Sequence, residues 1–249
     1  VVALTPMRLQ VGLRPPAELA ADVRELGTAH ALFLADIAES GDLASYLEAV
    51  LADDEARTLL EPLAAAAREG RGSVSLSAAA HALEAHPGDT GALVSLALNV
   101  IDLEPGQACF TSAGVLHSYQ SGLGLEIMAS SDNVLRAGLT PKPVHVPLVL
   151  DIALLEASEP IIPAQAGDDA VRHYLAPASE FALTVVSEGE VTVHAGPRIV
   201  VAVDGLATVS VEGETIELTA GQSVFIPDAD GPALISAEGL AAVASVPVA

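Results

Sequence analysis

IDLEPGQACFTSAG, residues 101–114, aligns with IELTAGQSVFIPDA, residues 216–229. Each copy closes one strand on an apolar residue, an acid and a leucine. A turn follows, then Gly-Gln, then a second strand that ends in Phe110 or Phe225. This strand–turn–strand unit recurs in small antiparallel barrels and jelly rolls, so two copies predict two barrels. The copies diverge where chemistry would sit. The same offset carried forward places His117 opposite Pro232. Only the first copy offers a histidine for a metal, and the second reads as structural.

Around the first copy the period is two. Val94, Leu96, Leu98 and Val100 alternate with Ser95, Ala97 and Asn99, predicting a strand. Glu104-Pro105-Gly106 reads as a turn, and GQACF as the start of the next strand. Further along, FALTVVSEGEVTVHAG, RIVVAVDG, LATVSVEG, ETIELTAG and QSVFIP read as strands with Glu-Gly and Asp-Gly turns between them. VHVPLVLDIALLEASEP holds one short helix and a linker. Residues 1–13 read as two short strands broken at Pro6. From Pro15 to about Pro87 the texture is Ala, Leu and Glu at helical spacing, with prolines at a helix start and acids in its first turn. About four or five helices are expected there. His81 and His86 fall among them and read as surface or packing residues.

The chain is mainly β with an α-helical module. Its 249 residues allow one large domain or two ordinary ones. No apolar run is long enough to span a bilayer, and VVALTP is too short for a secretory signal. Cys109 alone makes no disulfide framework, so a cytoplasmic location is expected. Acids outnumber Lys and Arg 33 to 10, for a net charge of -23. Such a chain repels nucleic acid and anionic membranes, and neither is expected as a partner. An anionic substrate would need the few cations concentrated locally.

AGVLHSYQSG, residues 113–122, places His117 and Tyr119 two residues apart, on one face if the segment is extended. That face is either packed core or the wall of a site. The run that follows, HSYQSGLGLEIMASSDNVLRAGLTPK, is the densest in functional groups. His117 reads as a zinc ligand or as an ordinary core or surface histidine. Glu126, between Leu125 and Ile127, faces away from both by strand alternation, as an exposed acid or a general acid/base. Tyr119 reads as a packed aromatic or a site hydroxyl. Arg136 and Lys142 are surface cations or anion holders, the arginine suited to bidentate contacts and the lysine to a point charge. Asp132-Asn133 reads as a turn. Together these residues suggest a metal-assisted sugar-phosphate or acid/base site.

GLEIMASSDNVLRAGLTPK closely resembles the signature of type I mannose-6-phosphate isomerases, the zinc-dependent cupin phosphomannose isomerases. HPGDTGALVSLALNVIDLEPGQACF and AGVLHSY resemble the segments just before it, and VVALTPMRLQVGLRP the family's entry to its helical domain. The resemblance implies two cupin (jelly-roll) barrels, the first incomplete in this chain, with an inserted helical domain. Residues 1–14 would belong to the first barrel, 15–92 to the helical domain, 93–150 to the rest of the metal-bearing barrel, and 151–249 to a C-terminal cupin-like domain without metal ligands. It implies an isomerase that interconverts mannose 6-phosphate and fructose 6-phosphate with one zinc, acting as a monomer on a small phosphosugar. His117 would be the last zinc ligand. Tyr119 would follow it as the family tyrosine does, and Glu126 would line the site near the reacting carbons. Arg136 and Lys142 would hold phosphate or enediolate charge. The family's other ligands, a Gln-x-His pair and a glutamate, are expected upstream of the segment matching Val1, which makes this sequence read as truncated. Two other readings are a non-catalytic cupin-type sugar-phosphate binding or regulatory protein, and a folding or interaction module.

Overall fold

A computed structural model describes residues 1–131 and 134–247. The expected turn at Asp132-Asn133 lies outside the described residues. The chain divides into two compact units. One gathers Val2–Leu125 and Ser131–Ile161; the other gathers Val1, Glu126–Ser130 and Ile162–Ala249.

The first unit opens with β1 (Val2–Ala3) and β2 (Met7–Leu13), then turns helical. α1 (Pro16–Arg24) starts on a proline with Glu18 in its first turn, where the helix dipole favours a carboxylate. α2 (Ala29–Glu39) is capped by the Thr28 side chain, which accepts from the Ala31 N–H. Asp42 caps α3 (Leu43–Ala52) in the same way, and Ser73 caps α5 (Val74–Ala85). A 3-10 turn (Asp54–Leu59) leads into α4 (Leu60–Arg68). The leucines of these helices and their small alanines meet in one core, which includes Leu19, Leu34, Leu47, Leu63 and Leu76. Tyr46 is fully buried in it, and its hydroxyl donates to the Leu93 carbonyl at 3.1 Å. Burial pushes that phenol well above its ordinary value.

The strand expected from Val94 onward is corrected by the structure. Residues Gly91–Leu96 form helix α6, all six of them buried, and β3 begins only at Leu98 and runs to Leu103. Alternation there does not separate an inner from an outer face, because the whole segment is inside. β2 lies between β3 and β4 (His117–Ser121), antiparallel to both. β5 (Gly124–Leu125) pairs with β1. α7 (Val146–Ile152) is the short helix expected in the linker region. Among the described residues no helix is long and apolar enough to cross a membrane.

The second unit is a sheet ordered β11-β10-β13-β8-β7-β6. Its strands are β6 (Ala164–Gly167), β7 (Val171–Leu175), β8 (Ala182–Ser187), β9 (Glu190–Val193), β10 (Arg198–Val211), β11 (Glu214–Thr219), β12 (Ser223–Ile226) and β13 (Ala233–Ser245). β10 pairs with β12 through its first residues and with β11 through its last. β13 does the same with β9 and β8. The buried side is a separate core that includes Val186, Val200, Val209, Ile235 and Val243. Asp204-Gly205, expected as a turn, sits inside β10 at a register shift. A Cβ on Gly205 would lie 2.0 Å from the Glu238 carbonyl oxygen of β13. The glycine therefore serves a close strand crossing rather than a chain reversal.

The internal repeat is visible as geometry within each unit. Gly106 and Gly221 both take φ of +84°. Gln107 donates its N–H to the Glu104 carbonyl while its side-chain oxygen accepts the Glu104 N–H, both at 2.9 Å. Gln222 does the same with Thr219 at the same distances. The glycine permits the left-handed turn and the glutamine closes it. The GQACF strand is corrected: Ala108 and Phe110 make only isolated bridges, to Val2 and Ile161. Cys109 is buried there, which raises its thiol pKa.

Candidate metal and anion site

His117 is the first residue of β4 and stands opposite Val11 of β2. Its ring lies 5.8 Å from that of Tyr119, so the two share a face as alternation requires. Both are exposed, Tyr119 by 40%. The face is thus an open wall and not packed core.

A buried polar ladder holds β4 in this register. Gln120 Nε2 donates to Gln10 Oε1 at 2.9 Å, and that same oxygen accepts the Ser95 hydroxyl at 2.6 Å. Gln10 Nε2 donates to the Ser95 carbonyl at 2.8 Å. Gln10 and Ser95 are fully buried, so breaking the bonds between them leaves orphaned polar groups. A slip of one residue would bury His117 and Tyr119 and break this network.

His117 Nδ1 donates to the Val115 carbonyl at 3.0 Å. With the proton on Nδ1, Nε2 carries the lone pair, the arrangement that orients an imidazole for a metal. The residue fits a zinc ligand. Among the described residues it is not part of any cluster of three His, Cys, Asp or Glu side chains.

Arg136 and Lys142 lie on the segment 135–142, which has no helix or strand of its own. Asp89 pins it to the start of α6: Oδ1 accepts the Gly91 N–H at 2.8 Å and Oδ2 accepts the Thr140 N–H at 3.3 Å. Ala137 and Leu139 pack against the helical core. Gly138, at φ +116°, meets Gly91 with no room for a side chain, since a Cβ on it would lie 2.5 Å from the Gly91 Cα. Gly138→Ala is expected to destabilise the fold by about 1–3 kcal/mol and to shift both cations. Chemical denaturation and catalytic assay together check this. Wild-type behaviour in both would remove the segment's positioning role.

The charge inventory singles out these two cations. Arg8, Arg14, Arg24, Arg57, Arg68, Arg71 and Arg172 each pair with a carboxylate. Arg198 donates to the His194 and Pro227 carbonyls. The side chains of Arg136 and Lys142 make no hydrogen bond or ion pair among the described residues, in a protein with a threefold excess of acids.

Glu126 is exposed and follows β5 directly. The strand expected to orient it stops at Leu125, so alternation does not set its direction. It groups with the second unit, whereas His117, Tyr119, Arg136 and Lys142 belong to the first. Asp89, Gly91 and Gly138 escaped the sequence reading as positioning residues. The available signal was an aspartate two residues before the glycine that opens a helix.

No family model matches the chain. It is 34% identical over 161 residues to mannose-6-phosphate isomerase of Escherichia coli, across 63% of this chain and 41% of that protein. It is 37% identical over 153 residues to the mannose-6-phosphate isomerase of Cryptococcus neoformans, across 57% of this chain and 35% of that one. Mannose 6-phosphate isomerase from Salmonella typhimurium, solved with its substrate (f6p) and zinc, superposes with a TM-score of 0.83 at 26% identity. That match covers 99% of this chain and 65% of the Salmonella chain. The chain therefore resembles mannose-6-phosphate isomerases in sequence and fold, and spans about two-fifths of the length of the curated relatives it matches.

Proposed function

We propose that this protein interconverts mannose 6-phosphate and fructose 6-phosphate as a zinc-dependent aldose–ketose isomerase. The observation that carries the reading is the pair of cations, Arg136 and Lys142, without a partner among the described residues and on a segment pinned by Asp89. Its likeness to isomerases solved with zinc and f6p supplies the substrate class.

The reaction opens the sugar ring and moves a proton between C2 and C1 through an enediol. Zinc, when bound, polarises the substrate oxygens on those carbons. His117 supplies one of the three or four protein ligands that such a site takes, through Nε2. Arg136 and Lys142 hold the phosphate or the enediolate charge, where fixed cations lower the barrier most. A carboxylate, of which Glu126 is one candidate, shuttles the proton. Tyr119 lines the wall beside His117 and fixes the substrate.

β1–β5 and the helical module correspond to the metal-bearing cupin with its insertion, and β6–β13 to a second cupin without metal ligands. Pro232 supports the latter, standing just before β13 where the repeat offset places His117. The protein acts as a cytoplasmic monomer on a free phosphosugar. A comparison of mannose 6-phosphate with unphosphorylated mannose tests the assignment. Fructose 6-phosphate should form from the first, with no ketose from the second. Equal rates would take the phosphate away from Arg136 and Lys142.

A further inference from the structure

His30, Asp53 and Glu55 converge in the helical module, on elements that the isomerase reading does not use. His30 lies in the first turn of α2, Asp53 ends α3, and Glu55 is in the 3-10 turn that follows. One ligand atom from each lies within 4.8 Å of the others.

The histidine is the unusual member. Its side chain is only 10% exposed, yet Nε2 is buried with no hydrogen-bond partner among the described residues. Nδ1 faces Glu55 Oε2 at 3.8 Å, beyond hydrogen-bond reach. A nine-tenths-buried imidazole is thus turned toward Glu55 through Nδ1, with Asp53 beside it, and bonds neither carboxylate. The Asp53 carboxylate is held in place. Asp53 Oδ1 accepts the Glu55 N–H at 2.8 Å. Phe33 stacks on the His30 ring with centroids 6.1 Å apart and planes 26° apart.

We propose that His30, Asp53 and Glu55 bind a divalent transition cation, tying the start of α2 to the end of α3. One imidazole nitrogen and two carboxylates form a borderline donor set suited to zinc, with water completing the coordination. The exposed carboxylates give the ion an entry path and balance its charge. The cation would relieve the close approach of the two acids, and by binding the folded state alone it would stabilise the module.

Zinc titration of the metal-free full protein by calorimetry tests this, beside Glu55→Gln and His30→Gln. Glu55 is exposed, so Glu55→Gln should fold normally and keep the wild-type catalytic rate. The wild type should show a binding event that Glu55→Gln weakens on the order of tenfold or more. Zinc should raise the wild-type unfolding midpoint more than that of either variant. A zinc ion held through His117 contributes equally to all three proteins, so the difference stands even if the isomerase reading fails. Identical titrations for wild type and Glu55→Gln would overturn the proposal. So would an effect of Glu55→Gln on the pH dependence of unfolding alone, which would mark a protonated His30–Glu55 ion pair instead of a metal site.

Discussion

Arg136→Ala is expected to lower kcat/KM for mannose 6-phosphate by about 10²–10³-fold, the size of effect seen when one fixed donor to a developing oxyanion is removed. Stability should stay within about 0.5 kcal/mol of wild type, because the side chain is exposed and no hydrogen bond or ion pair among the described residues depends on it. The split between activity and stability is the informative readout. A residue that only packed would move both together. Arg136→Lys should recover part of the loss at most, since an ammonium keeps the charge but loses the planar fork. Steady-state kinetics beside a urea melt measures both quantities. Wild-type kcat/KM in Arg136→Ala would remove the arginine from the site.

Asp22→Ala is expected to act in the opposite way, destabilising the fold by about 3–5 kcal/mol. Arg14 and Asp22 are 2% and 4% exposed, and Arg14 Nη2 meets Asp22 Oδ2 at 2.5 Å. Arg14 also donates to the Ser73 hydroxyl at 3.1 Å and to the Glu18 carbonyl, while Asp22 accepts the Ser73 N–H at 2.8 Å. The network joins the end of β2 to α1 and to the cap of α5. Removing the carboxylate strands a guanidinium in the core, where Arg14 Nε already lacks a partner among the described residues. Ser73→Ala should cost less, about 1–2 kcal/mol, because the buried charge pair survives although the cap and the hydroxyl's bonds to Arg14 and Asp22 are lost. Urea denaturation midpoints separate the two. An Asp22→Ala loss no larger than the Ser73→Ala loss would mean that the pair is not buried as described.

The helical module was legible because its proline start, its first-turn acid and its apolar spacing are local signals. Pro16 opens α1 with Glu18 in the first turn; the caps Thr28, Asp42 and Ser73, equally local, were not singled out. The repeat was legible for a similar reason: Gly106-Gln107 and Gly221-Gln222 close their own turns. Period-two reasoning failed where its premise failed. Gly91–Leu96 is buried on every side, so alternation of Val94, Leu96 and Leu98 carried no inside–outside meaning. Asp204-Gly205 looked like a hairpin turn, but a distant strand, β13 at Glu238, decides what that glycine does. β6 and β13 were not singled out, since AQAG and GLAAVAS lack the bulky alternation that marks a strand; β7, VRHYL, carries bulky residues and was missed all the same.

At the site, the shared face of His117 and Tyr119 followed from their spacing. Their exposure did not, because it depends on Gln10, Ser95 and Gln120 pairing across more than eighty residues. The isolation of Arg136 and Lys142 could not be read locally either. It appears only when every other cation is seen to have a partner.

The measurement that bears most directly on the account is conversion of mannose 6-phosphate by the protein in its complete natural form. It should be followed zinc-loaded, after chelation and after zinc is returned, beside His117→Ala. The account predicts turnover with zinc, loss on chelation, recovery when zinc returns, and no recovery in His117→Ala. A zinc-loaded protein that leaves mannose 6-phosphate unchanged, or turnover indifferent to chelation, would contradict it.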